Sequence, residues 1–169
     1  PFHLEKSNIR GRLVRLDGMI QDIIKHHHYP PLVNYYLGQA ITLSLAIASC
    51  FKFHGLFTLQ ITGNGSLKLL VVDISKEGHV RACARFDADK IAALDESDLQ
   101  NSVRVFGEGY FAFTIEPEQD ENRYQGVVEL TGTSLAEAAH HFFRQSEQLE
   151  VHPLLQDPKE YGLLLHPAS

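Results

Sequence analysis

The chain reads as an α+β fold, with antiparallel sheets packed around a buried central helix in sheet/helix/sheet layers. Three stretches predict it. Residues 29–51 contain no Asp, Glu, Lys or Arg, and Pro31 suits a first helical turn, where its missing N–H has no intrahelical partner. Residues 56–62 alternate Phe57, Leu59 and Ile61 with Thr58, Gln60 and Thr62, which is the period of a half-buried strand. After Gly132-Thr133-Ser134, the residues Leu135, Ala138, Ala139, Phe142 and Phe143 recur at helical spacing.

Taken in order, residues 9–16 predict a strand in which Ile9, Gly11 and Leu13 alternate with Arg10, Arg12 and Val14. Asp17 is placed to cap a short helix over 18–27, with Met19, Ile20, Ile23 and Ile24 on its apolar face. Tyr29-Pro30-Pro31 stops that helix and starts the next, residues 31–52, which carries no charge before Lys52. Around its wheel Leu32, Tyr36, Leu43, Ile47 and Phe51 point one way and Val33, Ile41, Leu45 and Ala48 another. A helix apolar all round is buried or spans a membrane. Asn34, Gln39, Thr42, Ser44 and Ser49 favour burial, and Asn34, Gly38, Thr42 and Ser49 form a narrow strip that admits a close neighbour.

Asn64-Gly65 predicts a tight hairpin turn with positive φ. The return strand, 67–74, is apolar on both faces and therefore interior to its sheet. A second turn at Lys76-Glu77-Gly78 leads to a strand over 79–86, with Val80, Ala82, Ala84 and Phe86 opposed to His79, Arg81, Cys83 and Arg85. A short helix follows over 87–94, then a polar loop over 95–102. Strands are expected over 103–106, over 109–115 with Phe111, Phe113 and Ile115 on one face, and over 124–130. The acidic run 116–122 reads as a solvated hairpin tip. Ser134 and Glu137 have the spacing of a capping box for the last helix. Beyond residue 150 only 163–165 suggests a closing strand.

At 169 residues the chain is expected to be a single domain, and no repeat or linker divides it. A net charge of −6 argues against a general nucleic-acid binder or an anionic-membrane binder. Cys50 and Cys83 are the only cysteines, with no CxxC, which excludes a disulfide framework and a cysteine zinc site within these residues. The first residues lack the apolar run of a secretory signal, so a reducing, cytoplasmic location is expected.

The chemistry-bearing residues are few. His26-His27-His28 diverge by about 100° each on a helix, whereas paired ligands need i,i+3 or i,i+4 spacing. His140-His141 fails for the same reason. No metal site and no cofactor is expected in the chain. Cys50 falls in the charge-free helix and reads as an inert core thiol. Cys83 lies between Arg81 and Arg85, two cations able to lower a thiol pKa, so a thiol-dependent enzyme using Cys83 is one reading. There is no nucleophile elbow, phosphate-binding glycine loop or zinc-protease motif, and the residues alone support no enzyme.

The hairpin FKFHGLFTLQITGNGSLKLLVVD followed by ARFD resembles the core of the bacterial 33-kDa heat-shock chaperones. RGRLVRL, YPPLVNYYLGQA, GEGYFAFTI and RYQGVVELTGTSLAEAAHHFFRQSEQL extend the likeness in order over most of residues 10–149. The resemblance implies an ATP-independent cytosolic holdase that binds unfolded or aggregation-prone proteins under oxidative or heat stress. It also implies dimers, and a C-terminal redox switch in which CxC and CxxC cysteines bind zinc until oxidation releases it. Neither cysteine pair occurs here, so linker, switch and zinc site are expected to lie outside these residues. The tail EVHPLLQDPKEYGLLLHPAS also lacks the Pro-Thr expected after SEQL, as a truncated or spliced chain would.

On this reading the chain is a client-binding core, with a dimerisation domain lacking client activity as the third alternative. Holding a client requires apolar surface of a few hundred Å2. Leu67, Leu69 and Val71 on one strand, and Phe111, Phe113 and Ile115 on another, are the expected sources.

Overall fold

The structure is a computed structural model and describes residues 1–16, 18–117, 122–146, 152–155 and 161–167, the last run and Ser146 by backbone alone. In chain order the elements are β1 (Phe2–Leu4), β2 (Ile9–Arg15), α1 (Met19–Ile24), α2 (Pro31–Ala48), β3 (Gly55–Gly63), β4 (Leu67–Ser75) and β5 (Val80–Phe86). Then come α3 (Ala88–Ala92), α4 (Ser102–Phe106), β6 (Gly109–Pro117), β7 (Tyr124–Glu129), α5 (Leu135–Ser146), β8 (His152–Leu155) and β9 (Tyr161–Pro167). All strand pairing is antiparallel among these elements, in a five-stranded sheet ordered β5-β4-β3-β6-β7 and a four-stranded sheet ordered β1-β2-β9-β8.

The helix α2 touches β3, β4 and β5 of one sheet and β2, β8 and β9 of the other. Both sides being covered explains why it is apolar all round. Val33, Leu37, Ala40, Ile41, Leu43 and Ile47 are fully buried on several faces. Two of its buried hydroxyls are satisfied within the helix: Thr42 donates to the Gly38 carbonyl at 2.9 Å and Ser44 to the Ala40 carbonyl at 2.6 Å. Such back-bonding to the preceding turn lets a hydroxyl enter a core without an unmet partner. Tyr36 donates to the Leu99 carbonyl at 3.0 Å, and burial pushes its phenol pKa up. No described helix is long and apolar enough to cross a membrane.

The inner face of the five-stranded sheet is aromatic. Phe113 lies 4.5 Å from Phe142, 5.7 Å from Phe57 and 5.5 Å from Tyr124 (ring centroids), so one ring ties β6 to α5, β3 and β7. All five residues expected on the buried face of α5 are buried. Its start follows the capping-box logic with a displacement of one residue. The Ser134 hydroxyl accepts from the Glu137 N–H at 3.2 Å, while the Glu137 carboxylate accepts from the Thr133 N–H.

Several expectations are corrected. The residues 103–106 form α4, not a strand: the Asn101 side chain accepts from the N–H groups of Val103 and Arg104, and one helical turn directs Val105 and Phe106 into the core. The β3–β4 hairpin exists, but neither Asn64 nor Gly65 has positive φ. Gly65 is small for another reason. A Cβ there would meet the Phe106 carbonyl carbon and the Val105 oxygen at 2.6 Å, because the α4 backbone lies on the turn and Phe106 accepts from the Gly65 N–H at 2.7 Å. The first helix is shorter than expected, and Gly18, in the left-handed region at φ 75°, occupies its N-cap with no side-chain cap bond. The expected Asp17 cap and positions 118–121 of the acidic run lie outside the described residues. The strands β1 and β8 have no counterpart in the expected elements, and the closing strand β9 is longer than expected.

Candidate functional site: the outer faces of the two sheets

The six expected surface residues do not form one surface. Leu67, Phe111 and Phe113 are fully buried, and Ile115, paired with Phe57, packs partly buried against the same core. Leu69 and Val71 lie on the opposite face, paired with Thr62 and Gln60. The reason is a register shift between Leu67 and Leu69, where Lys68 is the extra residue. Strict alternation would put Leu67, Leu69 and Val71 on one side, whereas a bulge sends Leu67 inward and the next two outward. The two-sided apolar character of this strand therefore reflects an interior strand with a bulge.

The outer face of the five-stranded sheet is largely polar. Register places Cys83, Val71, Gln60, Ala112 and Val127 in one row and Arg81, Asp73, Thr58, Thr114 and Gln125 in the next. A groove of about 420 Å3 runs over it, with Thr58, Gln60, Thr62, Tyr110 and Val127 among its lining. Cys83 is exposed there, with Arg81 and Arg85 as its neighbours along the strand. Arg81 reaches Asp73 at 3.4 Å, and Asp73 also accepts from the Thr58 hydroxyl at 2.7 Å. Cys50 is half-buried beyond the end of α2, where burial pushes its pKa up against the opposing pull of Arg12.

The histidines do not converge. The ring of His27 stacks on Tyr29 at 4.8 Å, His28 sits at φ 52°, and His140 stacks on His152 at 5.1 Å. Among the described residues no group of three or more His, Cys, Asp or Glu side chains is placed to hold a metal ion.

The outer face of the four-stranded sheet is different in kind. In β2, Val14 packs on the core, so Ile9, Gly11 and Leu13 look outward. The strand alternates as expected, but its apolar set faces solvent. Leu13 is 60% exposed; across the sheet it pairs with position 163, which pairs with Leu154, itself 54% exposed. Phe2 and Leu4 of β1, 38% and 49% exposed, pair with Gly11 and Ile9. The Phe2 ring lies directly over Gly11, in space a Cβ would fill. Directly opposed residues of antiparallel strands share a face. One side of the sheet thus exposes Leu13, Leu154, Phe2 and Leu4, with Arg15 and His152 at the margins of the same face.

Sequence reasoning missed this surface, and one signal for it was present. The residues Ile9 and Leu13 alternate with two arginines, but the sense of the alternation depends on which side α2 covers.

Comparisons with known proteins converge. The family described as Hsp33 protein matches residues 1–156. The chain is 36% identical over 148 residues to a 33 kDa chaperonin of Caulobacter vibrioides, covering 87% of this chain and 49% of that protein. It is 36% identical over 170 residues to the 33 kDa chaperonin of Aliivibrio salmonicida, covering 97% and 56%. The chain thus spans about half the length of the curated relatives it matches. The crystal structure of a 33 kDa chaperonin (heat shock protein 33 homolog) from Thermotoga maritima superposes with a TM-score of 0.80 at 18% identity, covering 99% of this chain and 60% of that one. At that identity the superposition speaks to the fold.

Proposed function

This chain belongs to the Hsp33 family, and on that footing we propose that it is the client-binding core of an ATP-independent holdase, with the outer face of the four-stranded sheet as its client surface. The observation that carries this reading is the outward row formed by Leu13 and Leu154, flanked by Phe2 and Leu4. Exposed leucines normally occur singly, and several large apolar side chains on one sheet face mark an interaction site. An unfolding polypeptide offers scattered apolar side chains and no fixed shape, so a flat apolar sheet suits it better than a closed pocket. Affinity is expected to be modest, because ordering a client offsets much of what burial contributes.

The proposed cellular setting is the cytoplasm, with homodimers as the proposed assembly. The zinc of the family's redox switch needs four cysteines in CxC and CxxC pairs. Cys50, beyond the end of α2, and Cys83, on β5, form neither pair and do not fit it, so this chain is proposed to hold no zinc of its own. Elemental analysis of dialysed protein tests that, and about one zinc per chain would overturn it. Non-enzymatic action is likewise proposed: the neighbours of Cys83 along and across the strands are Arg81, Arg85 and Val71, none of them a general base.

Two thiols outside a CxC and CxxC set cannot reproduce a four-cysteine release. Client holding by this chain is therefore expected to be equal in reductant and in peroxide. Light scattering of a thermally unfolding client, with the chain in molar excess, measures this under both conditions. Suppression only after peroxide would refute the assignment and point to Cys83; no suppression in either condition would refute client binding by these residues.

A further inference from the structure

An open sheet edge presents unpaired N–H and C=O groups and invites another strand. The strand β5 is such an edge: it pairs with β4, and no described strand pairs with its other side. At Ala84 a side chain fills the role of a strand. The Tyr29 hydroxyl donates to the Ala84 carbonyl at 3.3 Å and accepts from the Ala84 N–H at 3.1 Å. A phenol can do both at once. Because Ala84 directs both groups away from β4, the alternation of antiparallel pairing makes Val80 and Ala82 direct theirs the same way. The phenol stands where a residue of a sixth strand would pair.

Tyr29 belongs to the loop between α1 and α2 and is partly exposed. It is held by His27 stacked on its ring, by the edge of Phe86 at 5.6 Å, and by Asn34 Nδ2 donating to its carbonyl at 3.1 Å. The bond from Asn34, in the first turns of α2, goes to the Tyr29 backbone carbonyl, so it does not depend on where the phenol of this partly buried ring points.

We propose that Tyr29 is a displaceable plug on the β5 edge, and that the edge behind it accepts an extended acidic polypeptide segment as a sixth strand. Charge selects the occupant. Arg85, and Arg81 with its longer contact to Asp73 at 3.4 Å, are exposed on one face of β5, and residues of an added antiparallel strand would lie directly opposite them. A second copy pairing through β5 about Cys83 would set these arginines against each other, which disfavours it. Aspartate or glutamate at alternate positions complements them, and valine or isoleucine in between matches the small Ala82 and Ala84 on the other face. This edge is distinct from the leucine face of the four-stranded sheet, so the two proposals fail independently.

Tyr29→Phe keeps the ring and removes both hydrogen bonds. Deuterium exchange at the Ala84 amide is expected to quicken by about tenfold in that variant. Fluorescence anisotropy with a short labelled peptide alternating Glu and Val is expected to show tighter binding by a similar factor. The same peptide N-methylated at alternate residues, and a version with Lys for Glu, leave the protein untouched and are expected to bind weakly or not at all. Unchanged Ala84 exchange in Tyr29→Phe would overturn the plug. Equal binding of the N-methylated or lysine peptide would overturn strand addition or the acidic preference, respectively.

Discussion

The two sheets cover the same helix with opposite outer faces. Over the five-stranded sheet, the rows facing solvent set Thr58, Gln60, Asp73, Arg81 and Gln125 among Val71, Val127 and Tyr110, and the rings of Phe57, Phe111 and Phe113 are turned inward. Over the four-stranded sheet, Val14 alone of its strand's apolar side chains is packed inward, while Leu13, Leu154, Phe2 and Leu4 look out. Hydrophobic residues of comparable size thus hold the fold together in one sheet and are left for another purpose in the other. The difference predicts that substitutions on the inner face of the first sheet act on stability and those on the outer face of the second act on binding.

The largest expected effect is at Phe113. Truncation to alanine empties the site where β3, β6, β7 and α5 meet, and deletion of a buried aromatic costs about 3–5 kcal/mol. Urea unfolding measures it; a loss below about 1 kcal/mol would mean that this ring is not at the centre of the core. Next comes Gly65→Ala, which pushes a methyl into the α4 backbone and should destabilise by about 1–3 kcal/mol. An unaltered midpoint would show that α4 does not sit on the hairpin turn.

Tyr36→Phe is expected to remove about 1 kcal/mol, the net worth of its bond to the Leu99 carbonyl. The pH dependence follows from the direction of its shift. Burial raises the phenol pKa in the folded state above the unfolded value near 10, so the folded protein keeps a proton that the unfolded chain releases. Stability from this group is complete below pH about 10 and falls as pH rises beyond it. Stability curves of parent and variant should therefore converge in alkali, and parallel curves would place the hydroxyl in water.

What the sequence made legible follows from which residues carry unambiguous periodicity. The α2 helix was readable because charge is absent from it on every side, and β3, β5, β6 and α5 because their apolar sets are clean at period 2 or 3.6. The turn α4 was not, since Val103 and Val105 favour a strand and only the Asn101 cap, a tertiary-supported detail, decides otherwise. The strands β1 and β8 have three and four residues, too few to show a period, and exist by pairing with β2 and β9. The candidate surface was illegible for a related reason. Alternation in 9–15 separates two faces, but nothing in that stretch says which one α2 will cover.

The smallest effect on stability should accompany the largest effect on function. Leu13→Gln and Leu154→Gln keep side-chain length, remove apolar surface that is already in water, and break no described hydrogen bond. Surface changes of this type usually stay within about 0.5 kcal/mol. Val127, 52% exposed on the other sheet, provides the matched control as Val127→Gln. If clients bind the leucine face, the Leu13/Leu154 double variant should lose most of its suppression of client light scattering with its urea midpoint unmoved, while Val127→Gln keeps full suppression. Equal losses from both variants would mean that clients do not distinguish the two sheets. Loss from Val127→Gln alone would move the client surface to the polar groove, where Tyr110 and Val127 are the exposed apolar groups.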